Sequence, residues 1–221
     1  MSNLSRGKEN SVFDKTLISK VLQNIKAQNL LDVGCGDGSF TREAADTLRA
    51  KEVWGIEIDV KECKKAEKRG VRIICQDLKN FFPFPNDYFD IVLSRQCIEH
   101  LYFTDKHLEE VKRVLNPNGV FMLTTTNLAA LHYRLMLFFG IQPICLHPSI
   151  YKVFPLEGKN PVYGHKSVFT YRALKEVLIK HNFKLLKSGT HSLYPFPRWF
   201  SEILCRFFKN IGIYSFFVLK K

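Results

Sequence analysis

An α/β fold built on a mostly parallel sheet is what this sequence predicts, and three observations carry the expectation. Short apolar runs suited to strands alternate with helix-period segments from residue 29 to 126, the pattern of βαβ units whose sheet is covered on both faces. Three glycines at alternate positions, Gly34, Gly36 and Gly38, follow directly on the first apolar run, where a strand gives way to a helix. The 221 residues, 46% hydrophobic and 24% charged, suit one globular domain over 1–221 with a core of its own.

In chain order, residues 13–25 place Phe13, Leu17, Ile18, Val21, Leu22 and Ile25 on one helical stripe. Residues 30–33 predict a buried strand ending at the glycines, and 39–49 a helix that Ser39 is suited to cap. A second strand at 53–58, a charged helix at 61–69 closed by Gly70, and a third strand at 71–75 follow. The proline-rich run before Tyr88 is a loop, and 89–93 is a fourth strand. A helix at 104–115 stops at the turn Asn116-Pro117-Asn118-Gly119, before a fifth strand at 120–124. Beyond Thr126 the pattern loosens. The expectations there are an apolar helix at 128–139, a Pro-, His- and aromatic-containing stretch to Ser167, an amphipathic helix at 171–181 opened by Thr170, and a strand at 184–188. A helix at 199–208 and a closing strand at 214–219 complete the chain. The stripe Trp199, Phe200, Ile203, Leu204, Phe207 and Phe208 reads first as core packing. Arg198, Arg206 and Lys209 beside it make an interfacial helix the alternative.

Charge divides the chain in two. Of a net +12, residues 1–126 hold +1, whereas 127–221 carry 14 Lys and Arg against Glu157, Glu176 and Glu202. An anionic partner or surface met by the second half is the implication. Six scattered cysteines, without a C-x-x-C or paired histidine spacing, read as reduced, buried thiols and predict no metal site. The N-terminal stretch has no apolar leader and no window reaches the roughly 18 apolar residues of a spanning helix. The expected location is therefore cytoplasmic, or peripheral to a membrane through 127–221.

A glycine-rich turn between strand and helix lets a ligand approach the backbone while helix N–H groups face it. The dinucleotide version, G-x-G-x-x-G, would need glycine at 39, which is Ser39. The second requirement is an acid at the end of the next strand, for a ribose diol; Glu57 stands there, 19 residues past Gly38. Asp59 is better placed to begin the following helix as its cap.

On these residues the chain resembles the class I S-adenosylmethionine-dependent methyltransferases. LLDVGCGDGSF is similar to their first motif, GIEID to the ribose-binding strand end, and CQDL to the acidic residue near the adenine. FPFPNDYFDIVLSRQCIEHL and VKRVLNPNGVFMLTTTN resemble the fourth-strand motif and the helix, turn and strand after it. The resemblance implies a Rossmann-like, seven-stranded sheet with S-adenosylmethionine held by Asp32, Gly34, Cys35, Gly36, Gly38, Glu57, Ile58, Asp77 and Leu78. It divides the domain into a cofactor core at 29–127, a substrate lid inserted at 127–169, and a part at 170–221 that completes the sheet.

Methylation of oxygen on a small, glycan-linked or lipid-linked acceptor is the expected reaction. His100 is a candidate base, in a Glu99-His100 pair common in the family; so is His165, in a GHKSVFTYR segment similar to one in small-molecule and glycan-linked members. His132, Tyr133 and Arg134, after the fifth strand, are the candidate acceptor contacts. Cys97 reads as a buried thiol, since SRQC lacks the proline expected before a cytosine-attacking cysteine. The rivals are an RNA methyltransferase, which the basic half favours and the missing Asn/Asp-Pro-Pro-aromatic run disfavours, and a non-catalytic cofactor-binding protein docking an anionic partner.

Overall fold

The computed structural model describes residues 13–19, 27–146 and 164–221. Residues 13–19 are helical; the rest of the expected N-terminal helix, and 147–163 of the expected lid, lie outside the described residues. The elements then run β1 (Asn29–Val33), α1 (Ser39–Leu48), β2 (Glu52–Glu57), α2 (Val60–Lys68), β3 (Arg72–Cys75), β4 (Phe89–Arg95), α3 (Thr104–Val114) and β5 (Leu115–Thr126). After them come α4 (Leu131–Phe138), α5 (Tyr171–Lys180), β6 (Lys184–His191), α6 (Arg198–Phe207) and β7 (Tyr214–Lys220), with 3-10 turns at Ile98–His100 and Ile144–Leu146.

The strands form one sheet in the order β3-β2-β1-β4-β5-β7-β6. The first five pair in parallel, while β7 runs antiparallel to both β5 and β6. Period-two alternation sends neighbouring side chains to opposite faces. Leu31, Val33, Val92, Phe121 and Leu123 enter one core layer with α3 and α5; Leu30, Ile91, Leu93 and Met122 enter the other with α1. Helix α1 meets its layer with Phe40, Thr41, Ala44, Ala45 and Leu48, the spacing of one helical face. Burial of side chains such as Phe40 and Leu48 contributes about 1.5–3 kcal/mol each.

Asn127 clamps the ends of the insertion. Its buried amide donates to the carbonyls of Asn210 and Gly212, and its oxygen accepts from the N–H groups of Ala129 and Tyr171. Leu128 N–H also reaches the Phe169 carbonyl at 2.9 Å, so the insertion leaves and rejoins the core at one place.

Asp59 caps α2 as expected, accepting from Lys61 and Glu62 N–H, and Thr170 caps α5 through Ala173 N–H. Ser39 does not cap α1. Gly38, in a left-handed conformation, occupies the cap position, and the Asp37 carboxylate accepts both the N–H and the hydroxyl of Ser39. The turn expected at 116–119 is absorbed into β5 as a break in pairing register between Phe89 and Ile91.

Two further expectations are corrected. Cys63 on α2 and Cys75 on β3 are paired as a disulfide, their Cα atoms 6.1 Å apart, because the helix runs opposite to the strand that follows it and its start meets that strand's end. Only Cys35, Cys97, Cys145 and Cys205 are free and buried. The aromatic stripe of α6 is not core: Ser201 and Cys205 face inward, while Trp199, Ile203 and Phe207 are 66%, 49% and 76% exposed.

Candidate active site

Strand order reverses between β1 and β4, which opens a crevice at their carboxyl ends. A cavity of about 400 Å³ occupies it, lined by Gly34, Glu57, Ile58, Asp77, Leu78, Lys79, Gln96, Cys97, His100, Leu101, Tyr102 and Phe103. Four separate βα loops thus supply one site, each contributing a short run of one to six residues.

The floor is the glycine turn. Gly34 has φ +76°, and a Cβ there would meet the Cys97 Sγ at 2.6 Å, so only glycine fits against β4. Gly36 donates its N–H to Glu57 Oε2 at 2.9 Å, and Ile58 and Asp59 donate theirs to Oε1 at 2.8 and 3.0 Å. Three backbone donors from two loops therefore fix the Glu57 carboxylate at the cavity wall and leave it lone pairs for further donors. Beneath the turn Asp32 is buried, one oxygen accepting the Thr41 hydroxyl at 2.6 Å and the other, Oδ1, unpartnered. Burial pushes the Asp32 carboxyl up to about 6, against the opposing pull of the Thr41 hydrogen bond and Arg95.

Asp77 opens an Asx turn, its Oδ1 accepting Lys79 N–H at 2.9 Å, and this hydrogen bond holds the carboxyl below its ordinary value. The same residue lines the cavity, so turn-building and a ligand contact are compatible roles. Beside it Ile58 is 62% exposed, an apolar surface left open on a cavity wall.

The rim is built from β4 and the far end of the insertion. Glu99 is buried; its Oε2 accepts the Thr125 hydroxyl at 2.7 Å, and its main-chain oxygen accepts from Lys166 and Ser167. Desolvation raises the Glu99 carboxyl above its usual range. His100 and His165 lie edge to face with centroids 4.8 Å apart. His100 Nδ1 is 3.2 Å from the Gly164 oxygen, and His165 Nδ1 3.1 Å from that of Cys145. Carbonyls only accept, so both rings carry a proton on Nδ1, and in the neutral imidazole the lone pair is on Nε2. Burial, then the neighbouring His100, lowers the His165 value.

The structure brings Gly34, Glu57, Ile58, Asp77, Leu78 and His100 to one cavity and sets His165 against His100. Other expected residues lie elsewhere. Cys35 packs its thiol under Gly55, where a Cβ would lie 2.6 Å from the sulfur, so no more than its backbone can face a ligand. Tyr133 is buried in a small cluster with Ala130 and Cys145, and Arg134 donates to the carbonyls of Ala129 and Asn210. His132 packs tilted against Tyr133 and edge to face with Tyr194. These three brace the insertion rather than line the cavity. Cys97 is buried under Gly34, and desolvation raises its thiol far above neutrality, so it is no nucleophile. Sequence reasoning missed Gln96, Tyr102 and Phe103, which follow β4 with no periodic signal of their own, and gave Glu99 no ligand role.

Residues 31–123 match the methyltransferase domain family. A fatty-acid O-methyltransferase of Mycolicibacterium smegmatis is 32% identical over 106 residues, 46% of this chain and 38% of that protein. A mitochondrial ubiquinone biosynthesis O-methyltransferase of Dictyostelium discoideum is 26% identical over 124 residues, 49% of this chain and 38% of that protein. The chain thus spans well under half the length of these relatives. Among solved structures, the Haemonchus contortus phosphoethanolamine N-methyltransferase 2 in complex with S-adenosyl-L-methionine superposes with a TM-score of 0.64 at 19% identity, over 95% of this chain and 52% of that one.

Proposed function

We propose that the chain is a class I S-adenosylmethionine-dependent methyltransferase that methylates an oxygen atom of a small, glycan-linked or lipid-linked acceptor. One observation carries the reading: a single cavity at the carboxyl ends of the strands holds the fixed Glu57 carboxylate, Asp77 and His100. The residues fit S-adenosylmethionine on two further counts. Asp32 Oδ1 is a buried acceptor without a partner beside the glycine turn, where a cationic amino group is the missing donor. A Cβ on Gly36 would meet nothing within 4 Å, so the turn leaves open the space a ligand needs to reach its backbone.

When bound, the cofactor supplies an electrophilic methyl group on a sulfonium. Glu57 accepts from the ribose diol with its remaining lone pairs. Asp77 takes the adenine amino group while Ile58 and Leu78 cover the ring, and Asp32 with the backbone of Gly34, Cys35, Gly36 and Gly38 holds the amino-acid end. Positioning is most of such catalysis, since the displacement is in line and the methyl already activated. An oxygen acceptor must also lose its proton, and the Nε2 lone pairs of His100 and His165 stand at the rim for that purpose.

The O-methyltransferase relatives support oxygen as the accepting atom. The outward apolar faces support a lipid-linked acceptor. Phe138 and Phe139 on and after α4, and Trp199 and Phe207 on α6, are exposed, with Arg206 and Lys209 in an adjoining groove that also holds Lys175 and Lys187. In this reading 29–127 is the cofactor core, 127–169 the lid and 170–221 the part that completes the sheet. The protein then acts in the cytoplasm, at an anionic membrane surface met through 127–221.

Calorimetric titration with S-adenosylhomocysteine tests the premise: Glu57→Ala weakens binding by about 100-fold, because a charged acceptor is lost. Unchanged affinity sinks the ribose assignment. Extracts given radiolabelled S-adenosylmethionine and the protein, then fractionated, test the acceptor. Label is expected in the lipid or small-molecule fraction, and label in RNA turns the reading to the nucleic-acid rival.

A further inference from the structure

We propose that Glu99, His100 and His165 form a binding site for one divalent transition-metal cation at the acceptor end of the cavity. A ligand atom of each lies within 4.8 Å of the other two. The two imidazoles have their Nδ1 atoms against backbone carbonyls, so in the neutral rings the lone pairs they can offer beside the Glu99 carboxylate are on Nε2. Such a group of acceptors is mutually repulsive unless a proton or a cation is shared.

The outer hydrogen bonds are those that aim metal ligands. Each imidazole has its Nδ1 hydrogen-bonded to a backbone carbonyl, which leaves Nε2 as the atom it can offer a metal. The Glu99 carboxylate is held on one oxygen by the Thr125 hydroxyl. On the other it is held by the Gln96 carboxamide at 3.2 Å, in the orientation that also satisfies Thr125 N–H. Tyr133 supports the set from behind, since it packs on Cys145, whose carbonyl holds His165.

Two imidazoles and one carboxylate suit Zn²⁺ or Mn²⁺ better than Ca²⁺ or Mg²⁺, and three protein ligands leave open positions. Metal–nitrogen distances are about 2.1 Å, so the ligands must draw together by roughly 1–1.5 Å. His100 is exposed, so its ring can shift toward the other two ligands. The open positions face the cavity that His100 lines. An acceptor hydroxyl bound there ionises more readily, its proton passing to solvent, so in the metal-loaded protein the ion takes the place of the His100 and His165 lone pairs, which then act as ligands and not as bases. The oxygen then forms its bond to the methyl carbon as the carbon–sulfur bond breaks, and the sulfonium becomes a neutral thioether. The role rests on the methyltransferase reading; the site itself does not.

Metal-stripped protein titrated with MnCl2 and with ZnCl2 by calorimetry, and with CoCl2 by visible absorption, is the test. One ion per chain and a Co²⁺ d–d band are expected, with binding weakened by about tenfold or more in both His165→Ala and Glu99→Gln. Circular dichroism verifies folding. His165 is only half-buried, so its variant keeps the test decisive if the buried Glu99 variant fails to fold. Absence of stoichiometric binding, or equal affinity in wild type and His165→Ala, overturns the site. S-adenosylhomocysteine is titrated in parallel: if it binds and the metals do not, this inference fails and the methyltransferase reading stands. If it does not bind, that reading fails whatever the metals do.

Discussion

Residues 29–126 and 127–221 use the same kinds of side chain to opposite ends. In the first stretch, charge is nearly balanced and the apolar positions of β1, β4 and β5 are almost wholly buried on the two sheet faces. In the second, α5 and β7 complete that core, but α4 and α6 turn large apolar side chains outward amid a +11 field. Trp199 and Phe207 are as hydrophobic as Phe121 and Phe217, yet the former are mostly exposed and the latter fully buried. The difference teaches that hydrophobic periodicity reports an amphipathic surface, not what that surface meets.

Cutting the first region's core should have the largest effect. Phe121→Ala removes a fully buried ring between β4 and β7 and is expected to lower unfolding free energy by about 3–5 kcal/mol, measured by urea denaturation. A loss under about 1 kcal/mol would mean this sheet centre is not the core it is described as. Reduction of Cys63–Cys75, which closes a short loop, is expected to cost up to about 3 kcal/mol in the same assay. An identical melting curve with and without dithiothreitol would show that the pair stays reduced in solution.

Buried titratable groups sharpen the contrast with pH. His191, stacked on Phe13 at 3.7 Å, has its value pushed down to about 3 by burial. Its contribution to stability is therefore full above its ordinary 6.5 and is lost as pH falls towards 3. Asp32 runs the other way, its contribution full below 3.8 and lost as pH rises through about 6. Hence His191→Phe flattens the acid side of the stability profile and Asp32→Asn flattens the rise-dependent loss. Each is limited to about 1.4 kcal/mol per pH unit, the value of one proton. Parallel profiles for wild type and variant would refute the burial argument at that site.

The smallest stability effect belongs to the outward faces. Trp199→Ala and Phe207→Ala should change unfolding free energy by no more than about 0.5 kcal/mol, because neither leaves a cavity. Both should reduce flotation with anionic liposomes, and raised salt should reduce it further. Destabilisation like that of Phe121→Ala would return the stripe to the core.

Local chemistry was readable at most positions where a residue acts on its own neighbours, Ser39 being the exception. Asp59 and Thr170 cap the helices that begin beside them, and the glycine spacing with Ser39 excluded a dinucleotide turn. Ser39 was misread because Gly38 takes the cap position and the Asp37 carboxylate takes both the N–H and the hydroxyl of Ser39. The disulfide escaped because Cys63 and Cys75 lie on different elements, and their meeting depends on how α2 packs against β3. Likewise nothing in the 64 positions between His100 and His165 announces that their rings meet.

By itself the sequence determined the alternation of strands and helices, the glycine turn, and the acids Glu57 and Asp77 that follow it at fixed intervals. These depend on backbone periodicity and steric rules that act over a few residues. Only the tertiary structure decided that α6 turns its aromatic face outward and that Glu99, His100 and His165 converge at one rim. Both facts follow from which long-range surfaces the sheet leaves uncovered, and from where Asn127 pins the ends of the insertion. Such choices are made between elements distant in the chain, so no local pattern records them.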